Sequence, residues 1–271
     1  MPAINPVKLK VQTAELIESV DSPDDFINKL HKLLDFYADR TRRSGQSGEP
    51  PSLVQAYKTP PQVIKTVERS LREIRDPDNE ALLGIADALW VQNWIETREL
   101  AISILGQIPP YPSERIIIRV KNWVNSCYED QLLEKLLAIC VSQLAEVDIL
   151  IFISFLEEWL SSTESHHKHI GLLSIPPLLL ISDFDNLPKI FSLITPIVWN
   201  TSLNNLSDIL AVLRALADRS PNETAYFLRQ QLIAAKGAEI SQLIRRSLSA
   251  FPPEIQQDLM NTLRDWQARS K

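Results

Sequence analysis

Arg115, Arg119 and Lys121 recur along one amphipathic stretch and are followed by Trp123. Guanidinium and ammonium groups can meet phosphodiesters, and an indole offers a base a surface to stack on. The same residues also fit a solvated basic face, and their types leave both readings open. A second group is His166-His167-Lys168-His169. His166 and His169 are three residues apart and share a helix face. Only Glu164 adds a nearby carboxylate, so no metal site is expected. Imidazoles that titrate near neutrality at a helix start are the better reading. Arg245-Arg246 lie mid-helix, so at least one must reach solvent. Arg40, Arg42 and Arg43 close another helix, where cations meet the negative end of its dipole.

Other chemistries are poorly represented. There is no Gly-rich phosphate loop, GxSxG, HExxH or Cys-rich finger. A conventional hydrolase, a nucleotide-dependent enzyme and a zinc protein are therefore disfavoured, and no cofactor is expected. Cys127 and Cys140 are the only cysteines. They read as small buried apolar groups in a reducing cytoplasm. The N-terminus has no apolar run of signal-peptide length, and Glu146 and Asp148 interrupt the most apolar region, so no membrane span is expected.

The elements that must position these groups are helices almost throughout. Phe26, Leu30, Leu33, Leu34 and Tyr37 share one face of a helix over Asp21–Arg43, opened by a Ser22/Asp25 capping box. Residues Ser44–Ser52 form a loop that divides an N-terminal helical cap (1–50) from the main body (51–271). Thr59-Pro60-Pro61 predicts a helix with Thr as its cap. Leu89-Trp90 ends one helix and Trp94 opens the next, with Trp90 and Trp159 packing between helices. Ser113 caps the basic helix. Pro176-Pro177 should break or kink an apolar helix. Ile255, Leu259, Leu263 and Trp266 close the chain on a last amphipathic helix. The count is roughly twelve to fourteen helices with an irregular period of about 35–45 residues. This predicts an all-α, right-handed solenoid of HEAT-like, armadillo-type repeats with a concave groove.

Composition agrees. Hydrophobic residues make up 45% of 271, enough for a full core, and only 6 are Gly, too few for turn-rich sandwiches and barrels. The net charge of −6 weighs against a dedicated nucleic-acid binder, although an acidic protein can still present one basic groove.

Between about Tyr57 and Phe251 the chain resembles the HEAT-like-repeat alkylpurine DNA glycosylases of the DNA alkylation repair superfamily (AlkD/AlkC type). The resemblance rests on Tyr57-Lys58-Thr59-Pro60, on Leu89-Trp90 with Glu96, Arg98 and Ala101, and on Asn122-Trp123. It continues through Trp159 to His169 and through Leu243-Ile244-Arg245-Arg246-Ser247-Leu248. It implies duplex DNA in the groove, contacted by Arg115, Arg119, Lys121, Trp123, Lys168, His169, Arg245 and Arg246. It also implies excision of cationic alkylated purines, a reaction that needs little acid–base help.

The chain departs from that family at three places. Four residues after Trp123 the enzymes carry an Asp that stabilises positive charge on the sugar, and here the residue is Cys127. Asp130 is the nearby substitute. An Arg-Arg pair becomes Lys168-His169, and a later aromatic position falls on Ala250, or on Phe251 after a one-residue shift. The spacing between the last two motifs is about one helical repeat longer than in compact members. A DNA-binding repair protein with doubtful base-excision activity is one expectation. A non-catalytic scaffold that holds a protein partner in the groove is the other.

Overall fold

Short polar side chains and prolines set the helix starts. Asn5 Oδ1 accepts from the backbone N–H of Val7 and Lys8 at 3.0 and 3.2 Å, and Pro6 takes the first helical position. Asp148 and Asn186 cap two later helices through Leu150 and Lys189. The computed structural model describes residues 4–39, 54–74, 78–200, 205–235 and 238–269. Arg40, Arg42, Arg43 and the loop Ser44–Ser52 lie outside the described residues.

The protein is all-α. Among the described residues there is no strand, only an isolated bridge between Gln55 and Trp94. The chain forms two compact units, Met1–Gln143 and Leu144–Lys271. The first holds α1 (Pro6–Ile17), α2 (Pro23–Tyr37), α3 (Pro61–Arg72), α4 (Asn79–Val91), α5 (Ile95–Leu105), α6 (Glu114–Asn125) and most of α7 (Asp130–Val147). The second holds α8 (Ile149–Ser161), α9 (Ser165–Leu179), α10 (Leu187–Trp199), α11 (Leu206–Arg219), α12 (Pro221–Ala235), α13 (Ala238–Ser247) and α14 (Pro253–Arg269).

Within each unit a helix packs on its neighbour and on the helix after that. In the first unit α4 meets α5 and α2, while α3 meets α1 and α5. In the second, α9, α11 and α13 pack side by side as one layer, and α8, α10, α12 and α14 as the other. Stacked helix pairs of this kind bury apolar faces that no pair could bury alone. Gly171 shows how close the layers come: a Cβ there would lie 2.6 Å from Leu160 Cδ2. Trp90 and Trp159, each 5% exposed, are core residues, as the sequence suggested.

Several local expectations need correction. Ser22 and Ser113 stand at N-cap positions, but neither side chain makes a capping bond. Thr59 is not the cap of α3; Pro60 holds that position. The Pro176-Pro177 pair does not interrupt α9, which continues to Leu179. The pair sits in the last turn, where it removes two N–H donors at the end of the ladder without dividing a longer helix.

Candidate nucleic-acid interface

Helix α6 carries the first candidate group, and its cations have partners. Arg119 reaches Asp87 on α4 with both arms of its fork: Nε lies 3.0 and 3.1 Å from the two carboxylate oxygens, and Nη2 2.7 Å from Oδ2. Its Nη1 donates to the Arg115 carbonyl at 2.9 Å. Arg115 pairs with Glu80 at 3.0 Å, about two turns nearer the start of α4. Lys121 is exposed.

Trp123 is enclosed. Its ring is 4% exposed and stacks on Trp90 at 4.6 Å between centroids, with 4° between planes. The buried Arg98 guanidinium lies 4.9 Å from the Trp90 ring and donates to the Trp90 carbonyl at 3.2 Å. Trp90 Nε1 donates to Ser126 Oγ at 3.1 Å. The stack joins α4, α5 and α6. A base could reach Trp123 only by displacing part of this packing.

Cys127 is fully buried, with its thiol 3.8 Å from the Glu129 carbonyl. Burial pushes the thiol pKa up, and the Glu129 and Asp130 carboxylates add to that; the Glu129 carbonyl contact and Arg98 oppose it. The group is a neutral thiol near pH 7. Asp130 opens α7 and is exposed, close enough to act on that thiol electrostatically.

The Tyr57–Pro60 motif is a clamped turn. Lys58 has φ 57°, a left-handed conformation that costs a lysine energy. The Glu96 carboxylate, 5% exposed, offsets this by accepting from the N–H of Tyr57 at 3.1 Å and of Thr59 at 3.2 Å. Tyr57 stacks on Trp94 at 3.9 Å. Glu96 and Trp94 therefore serve the turn that precedes α3.

The second unit is arranged differently. His169 Nδ1 lies 2.7 Å from Asp208 Oδ2, tying α9 to α11. His167 Nδ1 is 3.0 Å from Ser162 Oγ and 3.7 Å from the Glu164 carboxylate. No group of three or more His, Cys, Asp or Glu among the described residues could hold a metal. Lys168 is half-buried and lines a cavity of about 420 Å³ with Ser162, Ser192 and Asn205. Arg245 and Arg246 end α13, and both are exposed. Arg246 lines a second cavity, of about 480 Å³, together with Arg214 of α11. Among the described residues none of the side chains of Lys168, Arg214, Arg245 and Arg246 makes an ion pair.

Sequence reading missed Arg214. It lies outside every motif of the resemblance, and only the packing of α11 on α13 brings it beside Arg246. The available signal was its place opposite Ile209, Val212, Leu213 and Leu216, the buried face of α11.

Stacked helix pairs, with four cations on one layer that make no ion pair among the described residues, define an all-α helical-repeat protein. Residues 58–247 match the DNA alkylation repair enzyme family, and the chain belongs to it. The match begins at the left-handed Lys58 and ends with α13. No curated protein and no solved structure matches the chain.

Proposed function

We propose that this chain is a HEAT-like member of the alkylation-repair family that binds duplex DNA in the reducing cytoplasm, and that base excision is weak or lost. The observation that carries the binding half is the set of cations on α9, α11 and α13. Among the described residues Lys168, Arg214, Arg245 and Arg246 make no ion pair, so phosphate oxygens would gain from meeting them without first breaking one. Helices α1 and α2 precede the matched span and act as the N-terminal cap.

The excision half rests on Cys127. Breaking the bond to a cationic purine leaves positive charge on the sugar, and a fixed carboxylate would stabilise it. A buried, protonated thiol supplies no negative charge. Asp130, like Glu129, lies within electrostatic reach of that thiol, and Asp130 carries whatever excision remains.

Affinity for a short duplex, with and without an alkylated purine, is the test, measured against salt and followed by base release. Tighter binding to the damaged duplex with steep salt dependence supports lesion recognition. Rapid base release that survives Asp130→Asn would overturn the account of Cys127. No duplex binding at low salt would overturn the DNA reading and leave a protein scaffold.

A further inference from the structure

Helices α11 and α13 pack together and leave between them the cavity of about 480 Å³. That volume falls in the range of about 300–1,000 Å³ usual for ligand sites. The buried faces explain what lines it. Ile209, Val212, Leu213 and Leu216 of α11 and Leu243 and Ile244 of α13 turn inward, which leaves Arg214 and Arg246 on the exposed sides. The cavity is also lined by Ser207 and Ser249 and by Asp218, one turn beyond Arg214.

Two features of this site select its ligand. Two guanidinium forks arrive from different helices, with the Ser249 hydroxyl beside them, while the Ser207 hydroxyl donates to Asp208 Oδ1. A carboxylate offers two oxygens in one plane and satisfies one fork well; a tetrahedral phosphate can meet both arginines on separate oxygens. The formal charge of the lining is +1, because Asp218 offsets one arginine. A phosphodiester carries one negative charge and matches it, whereas a terminal phosphate carries nearly two.

We propose that Arg214 and Arg246 jointly clamp a single backbone phosphodiester of bound DNA, with Ser249 donating to one of its oxygens. The proposal rests on the duplex-binding reading above and deepens it by naming the subsite and a residue outside the family motifs.

The test compares wild type with Arg214→Gln, Arg246→Gln and the double variant in anisotropy titrations of a short fluorescent duplex over a salt series. Arg264→Gln on α14 is the control, an exposed cation outside the cavity. Circular dichroism confirms that each variant folds. Each single variant is expected to weaken binding several-fold, with Arg264→Gln unchanged. The decisive quantity is the slope of log affinity against log salt. One shared phosphate means that the double variant loses roughly 0.9 from that slope, whereas two separate phosphates would remove roughly twice as much. The larger loss overturns the clamp, as do variants that bind like wild type. Either result leaves the duplex reading intact. A wild-type chain that binds no duplex at low salt overturns that reading, and the clamp with it.

Discussion

The two compact units have the same formal charge, −3 each, yet they use their cations in different ways. In the first unit Arg115 and Arg119 pair with Glu80 and Asp87, and Lys135 with Glu99. Each pair crosses from one helix repeat to the next, so the charge serves to register the stack. The second unit also has such ties, Lys189 with Glu157 and Arg229 with Asp258. Its layer of α9, α11 and α13 nevertheless keeps four cations that make no ion pair among the described residues. Net charge therefore says little about what the surface can bind, and the pairing pattern says more.

The largest expected effect would test whether the Trp123 region is purely structural. Trp123→Ala removes a buried ring stacked on Trp90 and should lower stability by about 3–5 kcal/mol in urea unfolding. Trp123→Phe keeps most of the packing and gives a folded variant for binding. Unchanged duplex affinity in Trp123→Phe would keep the indole behind the interface. A tenfold loss at near-native stability would return it to the DNA and collapse the contrast between the units.

Glu96→Ala comes next. It removes the acceptor of two backbone N–H groups around a left-handed lysine, at an expected cost of about 2–4 kcal/mol. Glu96→Gln offers one oxygen to two donors and should lose roughly half of that. Chemical denaturation reads both. Equal stability in all three proteins would mean that the turn holds itself.

The interior of the first unit is also dry enough to be read by pH. Cys140 is fully buried, which pushes its thiol pKa from 9.0 up to about 12. Above pH 9.0 the unfolded thiol loses its proton while the folded one keeps it, so stability falls as pH rises through that window. The expected loss is about 1.4 kcal/mol per pH unit from this group once well above 9.0. Cys140→Ala should flatten that part of the profile. An unchanged slope would place the thiol in contact with water.

Much of this was legible in the sequence. The order of helices, the break between Trp90 and Trp94, and the burial of Trp90 and Trp159 follow from apolar periodicity and punctuation. The partners of the candidate residues were not legible, because each lies about one repeat away. Arg119 and Asp87 are 32 residues apart, Trp90 and Ser126 36, Gln143 and Leu105 38, and His169 and Asp208 39. These separations cluster near the period of about 35–45 residues read from the helix spacing. The period was visible, but which polar residue one repeat away would face a given cation depends on helix rotation. Periodicity leaves that rotation uncertain by a residue or two, enough to turn Arg119 from a phosphate contact into an ion pair. Caps failed for a related reason. Thr59 has the right type, but Pro60 takes the N-cap position and the Thr59 hydroxyl donates to the Leu34 carbonyl, 25 residues back.

The smallest expected effect bears most directly on the contrast between paired and unpaired cations. Arg119→Gln removes a two-armed contact and leaves the Asp87 carboxylate without its cation. Asp87 is about half exposed, so water can take over, and the stability loss should stay below about 1 kcal/mol. Duplex affinity and its salt slope should not change, because a guanidinium already held by a carboxylate releases no counterion on meeting DNA. Arg245→Gln should do the reverse, with stability kept and roughly 0.9 lost from the slope. If Arg119→Gln lowers the slope as much as Arg245→Gln does, the Asp87 pair opens when DNA arrives. The first unit would then hold its cations in reserve, and the pairing seen without DNA would be a latch on the binding surface.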